Sequence, residues 1–400
     1  MASETERRSP NGGPGWKLGV VDTVEAIDPV AWNALTGGHH PFLRHEFLVA
    51  LERHGAVGPD VGWVPQFILL RDDSGHLRGA VPAWLKGHSR GEFVFDFAWA
   101  EAHERHGLAY YPKLVVSIPW TPATGPRLLV APGDDAGTIR AVLAEGVRDL
   151  TRQLGLSSAH CLFACEPDLE ALGNGQFLRR RDFHYFWHND HYQDFEAFLT
   201  ALTSRKRKKI RQERRYVREQ GIDVRMQTGH ELCNTELDLI HAHYANAFRR
   251  KTNLPVLSAG FFREIAHTMG EQLLIAVCRH DREIVAAAIM FRGSDTLFGR
   301  YWGSSGNYPA LHFEACYYQG IDYCIRHGLQ RFEPGVQGEH KIARGFLPTR
   351  TTSAHWLVSP AFQRAVADYL QREGDLIDTQ FEHLRAESPF RVDPTPTAGP

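Results

Sequence analysis

Residues 273–291 read LLIAVCRHDREIVAAAIMF, in which two apolar runs flank a short polar turn. This pattern predicts a β-hairpin. Residues 67–85 (FILLRDDSGHLRGAVPAWL) repeat the same plan around the turn DDSGH. A helical apolar pattern precedes each hairpin, at 41–54 and at 255–269, and a helix followed by a strand comes after each one. The recurrence predicts a mixed α/β (α+β) fold made by duplication of one domain.

The composition is typical of a folded globular protein, with 400 residues of which 43% are hydrophobic and 23% charged. A chain of this length is expected to form two or three domains. The longest apolar run, 284–291, is far shorter than the roughly 20 residues that cross a bilayer. The N-terminal residues contain no apolar segment of the kind found in secretory signals. We therefore expect a cytoplasmic protein without a membrane span.

Metal and cofactor sites are not expected from the motifs. The six cysteines include no CxxC pair, and the 22 histidines include no HExxH motif. No P-loop and no GxGxxG motif occurs either. The sequence thus predicts reduced thiols, no bound metal and no cofactor.

The chain divides by composition into five segments. Residues 1–15 are expected to be a disordered N-terminus and 387–400 a flexible tail, because both are rich in Pro and Gly. Residues 16–190 and 222–386 are predicted to be the two domains, joined by a basic linking helix within 191–221. In that segment Asp194 to Gln220 is predicted to be one long helix, with Asp194 as N-cap and Gly221 after its C-terminus.

Basic residues are concentrated between Ser204 and Arg218 (SRKRKKIRQERRYVR), where nine cations accompany one acid, Glu213. Over the whole chain, 45 Lys and Arg face 47 Asp and Glu, which excludes a protein that coats nucleic acid through its global charge. Like charges placed this closely on a helix repel one another. A polyanion such as RNA phosphate would relieve the repulsion. A solvated face neutralised by nearby acids is the alternative.

Two polar stretches in the second half predict a ligand site. The first, GRYWGSSGNYPALHFEACYYQG at 299–320, combines aromatic and charged side chains between a strand and a helix, as pocket walls do. The second, FEPGVQGEHKIARGF at 332–346, follows the end of a predicted strand, where α/β folds place their chemistry. Packing of the aromatic rings and a solvent-exposed loop are the respective alternatives. The candidate substrate-binding residues from these stretches are Arg300, Tyr301, Trp302, His312, Glu314 and Gln337.

A third stretch, at 86–113 in the first half, is the positional counterpart of the first. Its aromatic residues also suit a purely structural role. The candidate substrate-binding residues here are Asp96, Trp99, Tyr111 and Lys113.

Several long strings resemble the FemAB-like family of GNAT-fold proteins, in the branch described as peptidoglycan biosynthesis or recognition proteins. The strings are HSRGEFVFDFAWA, SRKRKKIRQERR, GRYWG, LHFEACYYQGI and FEPGVQGEHKIARGF. The resemblance runs from about Trp32 to Ala386. It implies two tandem GNAT-like (acyl-CoA N-acyltransferase-like) domains with the basic helix between them.

The resemblance also implies an activity: transfer of an aminoacyl group from aminoacyl-tRNA to an amine. The acceptor would be a peptidoglycan precursor or a small-molecule or peptide natural product. The basic helix then becomes the candidate tRNA contact. Its candidate residues are Arg205, Lys206, Arg207, Lys208, Lys209, Arg211, Arg214 and Arg215.

Aminolysis of the tRNA ester needs a cation for the developing oxyanion and an acceptor for the amine proton. Lys341 or Arg344 suits the first role, and Glu333, Glu339 or His340 suits the second. Two other functions are compatible with the sequence: acyl transfer from CoA or a carrier protein, and a non-catalytic module that binds cell-wall precursors or RNA. The stretch SSGNYPALHFEA has one glycine and a proline where GNAT enzymes carry a glycine-rich pyrophosphate turn, which favours aminoacyl-tRNA over CoA.

Overall fold

The computed structural model describes residues 7–8, 15–133, 135–250, 252–336 and 338–391. The chain forms two compact units. Unit 1 contains the residues up to Phe183 together with Val256–Met269 and Arg350–Asp378. Unit 2 contains His184–Pro255, Gly270–Thr349 and the residues from Thr379 onward. Two segments, 256–269 and 350–378, thus lie in unit 1, whereas the sequence analysis placed them in the second domain.

The elements alternate between strands and helices, as predicted. Up to residue 188 they are β1 (Arg7–Arg8), β2 (Lys17–Val21), α1 (Pro29–Thr36), α2 (His45–Arg53), β3 (Trp63–Pro65), β4 (Phe67–Arg71), β5 (Leu77–Val81), β6 (Ala83–Lys86), α3 (Phe97–Arg105), β7 (Lys113–Val116), β8 (Leu129–Val130), α4 (Ala136–Gln153), β9 (Ser158–Cys161), α5 (Glu166–Asn174) and β10 (Leu178–His188). They continue with α6 (Phe195–Ala201), α7 (Ser204–Glu219), β11 (Ile222–Thr228), α8 (Asn234–Arg249), α9 (Ala259–Thr268), β12 (Leu273–His280), β13 (Glu283–Arg292), β14 (Thr296–Ser304), α10 (Leu311–Phe313), α11 (Gln319–Arg326), β15 (Arg331–Glu333), β16 (Leu347–Leu357) and α12 (Pro360–Ala386).

Unit 1 has two groups of paired strands. One is the antiparallel sheet β1-β2-β4-β5-β8, in which β4 and β5 are the predicted hairpin, with Ile68 opposite Val81. The other follows the order β16-β9-β7-β6-β3, and within it β7 and β9 run parallel. The crossover between these two parallel strands contains α4. Its apolar stripe, spaced at three and four residues, packs into the core of the unit. The stripe consists of Ile139, Val142, Leu143, Val147 and Leu150.

In unit 2 the strand order is β11-β12-β13-β14-β15-β10. The second predicted hairpin is β12 and β13, with Ala276 opposite Ala288. Strands β14 and β15 run parallel, from Thr296 opposite Arg331 to Phe298 opposite Glu333. Their crossover contains α10, a π-helical turn at Glu314–Tyr318 and α11. Each unit therefore combines a hairpin with one parallel pair bridged by a helix, which confirms the predicted repeat.

Helix α9 lies on α2 within unit 1, although it comes from the second half of the chain. The Phe47 and Phe261 rings meet edge to face at 5.6 Å. Glu264 accepts from His54 Nε2 at 2.8 Å and from Arg53 at 3.1 Å. The shared apolar pattern at 41–54 and 255–269 therefore marks two helices that pack on each other.

The linking segment differs from the sequence expectation of one long helix. Asp194 is the N-cap as predicted, since its carboxylate accepts from the Ala197 backbone at 2.7 Å. The helix ends at Ala201, however, and α7 starts at Ser204. Leu202 has an extended backbone and is fully buried. Burial of this leucine requires the chain to leave the helix, and this breaks the predicted element in two.

The residues that follow α12 form backbone hydrogen bonds with the segment where α6 ends and α7 begins. The backbone of Thr203 donates to Pro389 O at 2.9 Å, and that of Arg391 donates to Ala201 O at 2.9 Å. Pro389 is buried, and the ring of the half-buried Phe390 lies 6.3 Å from Phe198. The sequence analysis started the flexible tail at 387, whereas 389–391 are held in place here. Residues 392–400 lie outside the described part of the chain, as do 1–6 and 9–14 of the predicted disordered N-terminus.

Candidate functional site

Helix α7 carries the predicted basic surface. Only Ile210, Glu213 and Val217 of this helix are buried, so its remaining face is open. Together with α6 the helix borders a concave surface of about 610 Å³, called here the basic groove. Six of its lining residues are cations, namely Arg207, Lys208, Arg211, Arg214, Arg215 and Arg218. Arg218 adjoins the predicted set and extends it by one turn.

Acidic neighbours neutralise only part of this helix. Arg211 pairs with Glu196 at 2.5 Å, Arg215 with Glu219 at 3.5 Å, and Lys209 lies 3.9 Å from Glu213. Arg214 binds Glu314 through two hydrogen bonds, 3.0 and 3.1 Å long. Among the described residues, no acidic side chain forms a salt bridge with Arg205, Lys206, Arg207, Lys208 or Arg218. The groove therefore retains an excess of positive charge in the folded protein.

Glu213, the lone acid of the basic stretch, anchors α7 to the loop that carries the predicted catalytic residues. Its carboxylate accepts from Arg344 Nη2 at 2.7 Å and from the Tyr318 hydroxyl. Arg344 Nε donates to the same hydroxyl at 3.0 Å, and its guanidinium lies 3.4 Å from the Phe313 ring centroid. Arg344 Nη1 donates to His340 O at 2.9 Å. All three nitrogens of the Arg344 guanidinium are thus engaged, so this residue fits a positioning role better than direct contact with a substrate.

Glu314 makes a second connection between α7 and the π-helical turn. Besides Arg214, its carboxylate accepts from Gln319 Nε2 at 2.8 Å, and the side chain is 6% exposed. A buried carboxylate with three such bonds is held in one position. The predicted substrate-binding residue Glu314 and the predicted tRNA-binding residue Arg214 therefore bind each other.

Four of the five predicted catalytic residues lie on a 3₁₀ helix, Glu339–Arg344, that follows β15. Glu339 and His340 are exposed, whereas Lys341 is 2% exposed and donates to Gly335 O at 2.6 Å. Burial lowers the pKa of Lys341 to about 7. Glu333 lies at the end of β15, where it is buried and pairs with Arg331 at 3.2 Å. Gln337 lies outside the described residues.

His340 is the exposed base candidate of this loop. Its Nε2 lies 2.9 Å from the Tyr317 hydroxyl. Partial burial and the cations of Arg344 and Lys341 lower its pKa, so the imidazole is neutral at pH 7. Gly338 makes this conformation possible, because its φ is +115° and a Cβ there would lie 2.4 Å from the His340 ring. A neutral imidazole beside a buried ammonium is a combination that acyl transfer can use.

The aromatic stretch in β14 and α10 is close to this loop. The ring of His312 lies 5.5 Å from Trp302 and 5.4 Å from Tyr317, which itself contacts His340. The Arg300 guanidinium lies 5.3 Å from the Tyr301 ring. His184, a buried residue of β10, was not among the predicted site residues. Burial, followed by the cations of Lys341 and Arg300, lowers its pKa to about 4.

In unit 1 the candidates Asp96 and Lys113 belong to a buried charge cluster. Lys113 is fully buried and its ammonium donates to Glu92 Oε2 at 2.8 Å, to Ser89 Oγ at 2.8 Å and to Asp96. Asp96 also accepts from Ser89 and from Tyr110, both at 2.5 Å. Burial opposes ionisation of Asp96, but Lys113 and these hydrogen bonds lower its pKa to about 2. Burial raises the pKa of Glu92 to about 7, although Lys113 opposes that shift.

The other two candidates of unit 1 surround the cluster. The Tyr111 hydroxyl lies 2.8 Å from Ser89 Oγ. Trp99 is buried, with the Arg180 guanidinium 5.2 Å from its ring and His355 edge-on at 5.0 Å. The sequence missed the histidine pair His160 and His355, whose Nδ1 atoms lie 2.8 Å apart. It also missed Lys86, whose pKa burial lowers to about 7. His160 and His355 come from strands that are distant in the chain, whereas Lys86 donates to the carbonyl of Arg90, four residues later.

Metal clusters and membrane-spanning helices are both missing from the described residues. No group of three or more His, Cys, Asp and Glu side chains is arranged to hold a metal ion. Within the same residues, no helix is both long and apolar enough to cross a bilayer.

A sequence model of the FemAB-like family, described as peptidoglycan biosynthesis/recognition, matches residues 23–392. The chain belongs to this family. Membership supports a transferase role and a connection with peptidoglycan. No curated protein shows significant sequence similarity to the chain.

Similar solved structures span nearly the whole chain. One is the C-terminal domain of a proposed lysylphosphatidylglycerol synthetase from Agrobacterium fabrum, with 10% identity, a TM-score of 0.54, and coverage of 86% of this chain and 96% of that one. FemX has 10% identity, a TM-score of 0.53, and coverage of 85% and 98%. A tandem GNAT protein from the clavulanic acid biosynthesis pathway has 13% identity, a TM-score of 0.43, and coverage of 86% and 99%. The predicted mixed α/β fold class is confirmed, and the first two of these structures share the fold.

Proposed function

We propose that this FemAB-like protein is a cytoplasmic aminoacyltransferase that moves an aminoacyl group from aminoacyl-tRNA to an amine. The acceptor amine belongs to a peptidoglycan precursor or to a small-molecule or peptide natural product. The observation that carries the proposal is the attachment of the basic groove to the Glu339–Arg344 loop through Glu213 and Arg344, 2.7 Å apart. A polyanion site and a candidate reaction site thus share one buried ion pair.

The groove supports a polyanionic donor. Five cations of α7 form no salt bridge with an acid among the described residues, and three of them, Arg207, Lys208 and Arg218, line the concave surface of about 610 Å³. Neutralisation of phosphates by such cations releases counterions, so the affinity depends steeply on salt. A surface that was merely solvated would need no concavity and would bind no polyanion with this salt dependence.

The loop supports the chemistry of ester aminolysis. The acceptor nitrogen attacks the ester carbonyl, a C–N bond forms, and the C–O bond to the tRNA ribose breaks. His340 accepts the proton from the attacking amine and returns it to the departing ribose oxygen. The Lys341 ammonium stabilises the negative charge on the carbonyl oxygen of the intermediate. Glu333 is given no role in this step, because it pairs with Arg331 at 3.2 Å.

A transfer assay with charged tRNA tests the proposal. Purified protein is incubated with total tRNA carrying radiolabelled amino acids and with candidate amines from a cell extract. We expect the label to leave tRNA and to appear in a ribonuclease-resistant amide. Transfer from a parallel panel of acyl-CoA donors, with none from tRNA, would instead identify a CoA-dependent N-acyltransferase. Binding of precursors or RNA without turnover on any donor would identify a non-catalytic module.

Matched variants test whether the basic groove binds tRNA. The combined Arg207→Gln, Lys208→Gln and Arg218→Gln changes should weaken tRNA binding and reduce the slope of log affinity against log salt by about two to three. The control removes the same charge at three exposed arginines of α12, with Arg364→Gln, Arg372→Gln and Arg385→Gln. Equal effects of both sets would refute a local tRNA site.

Variants of the Glu339–Arg344 loop test whether His340 acts in the transfer reaction. His340→Asn should lower kcat by about a hundredfold or more, because general base catalysis typically contributes that much. The control is His230→Asn, which alters another exposed histidine of unit 2. An unchanged kcat in His340→Asn would remove this residue from the mechanism.

A further inference from the structure

In the loop between β6 and α3 the charged side chains are buried and the aromatic side chains are exposed, which is the reverse of the usual arrangement. In Glu92–Phe97 (EFVFDF) the two carboxylates and Val94 are buried, with exposures of 3%, 9% and 3%. The three phenylalanines between and after them point outward, with exposures of 37% for Phe93, 60% for Phe95 and 57% for Phe97. Apolar side chains normally take the buried positions and charged ones the exposed positions. This segment, called here the aromatic loop, therefore exposes three aromatic rings within five residues.

The buried charge cluster imposes this arrangement. Lys113 binds Glu92 and Asp96 from inside, and Ser89 donates to Asp96 at 2.5 Å. Turning the phenylalanines inward would pull both carboxylates away from the buried ammonium that binds them, at a high cost in free energy. The aromatic loop cannot relax by exchanging the two sets of side chains.

The backbone of the loop is also held. Phe93 has a φ of +62°, a left-handed conformation that a phenylalanine adopts only when its surroundings require it. Phe95 O accepts from Arg180 Nη1 at 2.8 Å. The Phe95 and Phe97 rings stack with centroids 5.7 Å apart and planes at 22°. The exposed rings thus form a prearranged surface.

The charges around the rings indicate the partner. From Gly87 to Ala98 the exposed or half-exposed charged or titratable side chains are Arg90 and His88. The first exposed carboxylates beyond this segment are Glu101, one turn after Phe97 in α3, and Glu104. Aromatic rings next to a cation suit the interface of a bilayer, where the rings insert between headgroups and the cation meets lipid phosphate. A polar protein partner would require more hydrogen-bonding side chains than Arg90 and His88 supply.

We propose that the aromatic loop docks the protein on the surface of an anionic lipid bilayer, with Phe95 and Phe97 inserted and Arg90 facing the lipid phosphates. This inference rests on unit 1 alone and does not depend on the donor or on the reaction proposed for unit 2. It places the protein at the membrane as a peripheral protein.

Vesicle sedimentation with the full-length protein tests the inference. Vesicles of phosphatidylcholine are compared with vesicles that also contain phosphatidylglycerol. We expect binding to the anionic vesicles, and we expect Phe95→Ser with Phe97→Ser to weaken it at least about tenfold, since the burial of one phenyl ring alone corresponds to a factor of ten or more. Arg90→Gln should reduce binding to the anionic vesicles only.

The matched control is Leu376→Ser, which makes the same type of change at a 72% exposed leucine of unit 1 outside the loop. It should leave vesicle binding unchanged. Circular dichroism and urea unfolding verify that the loop variants stay folded, as expected for exposed positions. A Phe95→Trp variant should show a blue-shifted emission when anionic vesicles are added.

Two results would overturn the inference. One is the absence of vesicle binding by the wild-type protein, whether or not it transfers aminoacyl groups. The other is vesicle binding that the loop variants retain in full. If sedimentation velocity showed that the loop variants abolish a dimer while vesicle binding is absent, the aromatic loop would be a contact between two copies of the chain.

Discussion

The buried cluster of unit 1 leads to a quantitative prediction for Lys113→Met. Methionine fills a similar volume but removes the ammonium, so Glu92 and Asp96 lose the cation that compensates both of them. The side chains of these three residues are 0%, 1% and 3% exposed, and water cannot replace the lost partner without opening the core. Removal of one partner of a buried ion pair costs about 3–5 kcal/mol. A domain of ordinary stability, about 5–15 kcal/mol, would lose a large share of that free energy.

The pH dependence should become steeper as well, because in the wild-type protein only one of the two carboxyl groups, Glu92, has a pKa raised above its unfolded value, to about 7. In the wild-type protein the pKa of Asp96 is about 2, below its unfolded value of 3.8. Its contribution is therefore complete above pH 4 and is lost as the pH falls through 2. In Lys113→Met, burial without the ammonium raises the pKa values of both carboxyl groups. The folded state then binds more protons than the unfolded state, and the stability of the variant should rise as the pH falls from 7 to about 4.

Urea unfolding at a series of pH values measures both effects, with tryptophan fluorescence as the probe. Arg105→Met is the control, because Arg105 is an exposed cation of the neighbouring α3. The triple variant Lys113→Met, Glu92→Gln and Asp96→Asn should recover part of the loss, since no uncompensated charge remains. A loss below about 1 kcal/mol with no change in pH dependence would refute the claim that this cluster is a closed ion network.

Three further predictions concern unit 2. Glu213→Gln should lower kcat about tenfold or more and leave the Kd for tRNA unchanged, because the Glu339–Arg344 loop loses its anchor while the groove keeps its cations. Steady-state kinetics measure kcat and filter binding measures the Kd. A weaker affinity for tRNA with a normal kcat would contradict the prediction. The activity of the wild-type protein should decline above about pH 7 as Lys341 loses its proton. The Lys341→Arg variant should stay active to higher pH, because arginine stays charged. Identical pH–rate profiles of the two proteins would disprove the role of this cation. Gly303→Ala should destabilise the fold by about 1–3 kcal/mol in urea unfolding, since its Cβ would lie 2.3 Å from the backbone of α8. Gly137→Ala, whose Cβ meets no atom within 4 Å, should not destabilise the protein.

The alternation of apolar and polar residues was sufficient to predict the two hairpins, the crossover helix α4 and the strand that ends at Glu333. These elements obey local rules, because period-two and period-3.6 patterns state which face is buried. The division of the linking segment was not predictable in the same way. Leu202 fits the apolar stripe of a helix, and only its contact with the chain at 389–391 shows why the helix stops before it.

The candidate site was predicted in part. The basic stretch stands out by composition alone, and so does the polar loop that contains His340 and Lys341. The opposite roles of Glu213 and its basic neighbours did not follow from the sequence, because the partner, Arg344, comes more than a hundred residues later. The sequence analysis assigned Asp96 and Lys113 to a ligand wall, whereas the fold encloses them with Glu92.

The sequence by itself therefore determined the repeat, the family, the strand and helix types and the position of the excess positive charge, since each of these depends on residues close together in the chain. Tertiary structure alone decided which charges are neutralised, which carboxylates are buried and which phenylalanines remain outside. Those outcomes depend on the free energy of moving charges out of water, and that free energy is set by partners that the fold brings from distant positions.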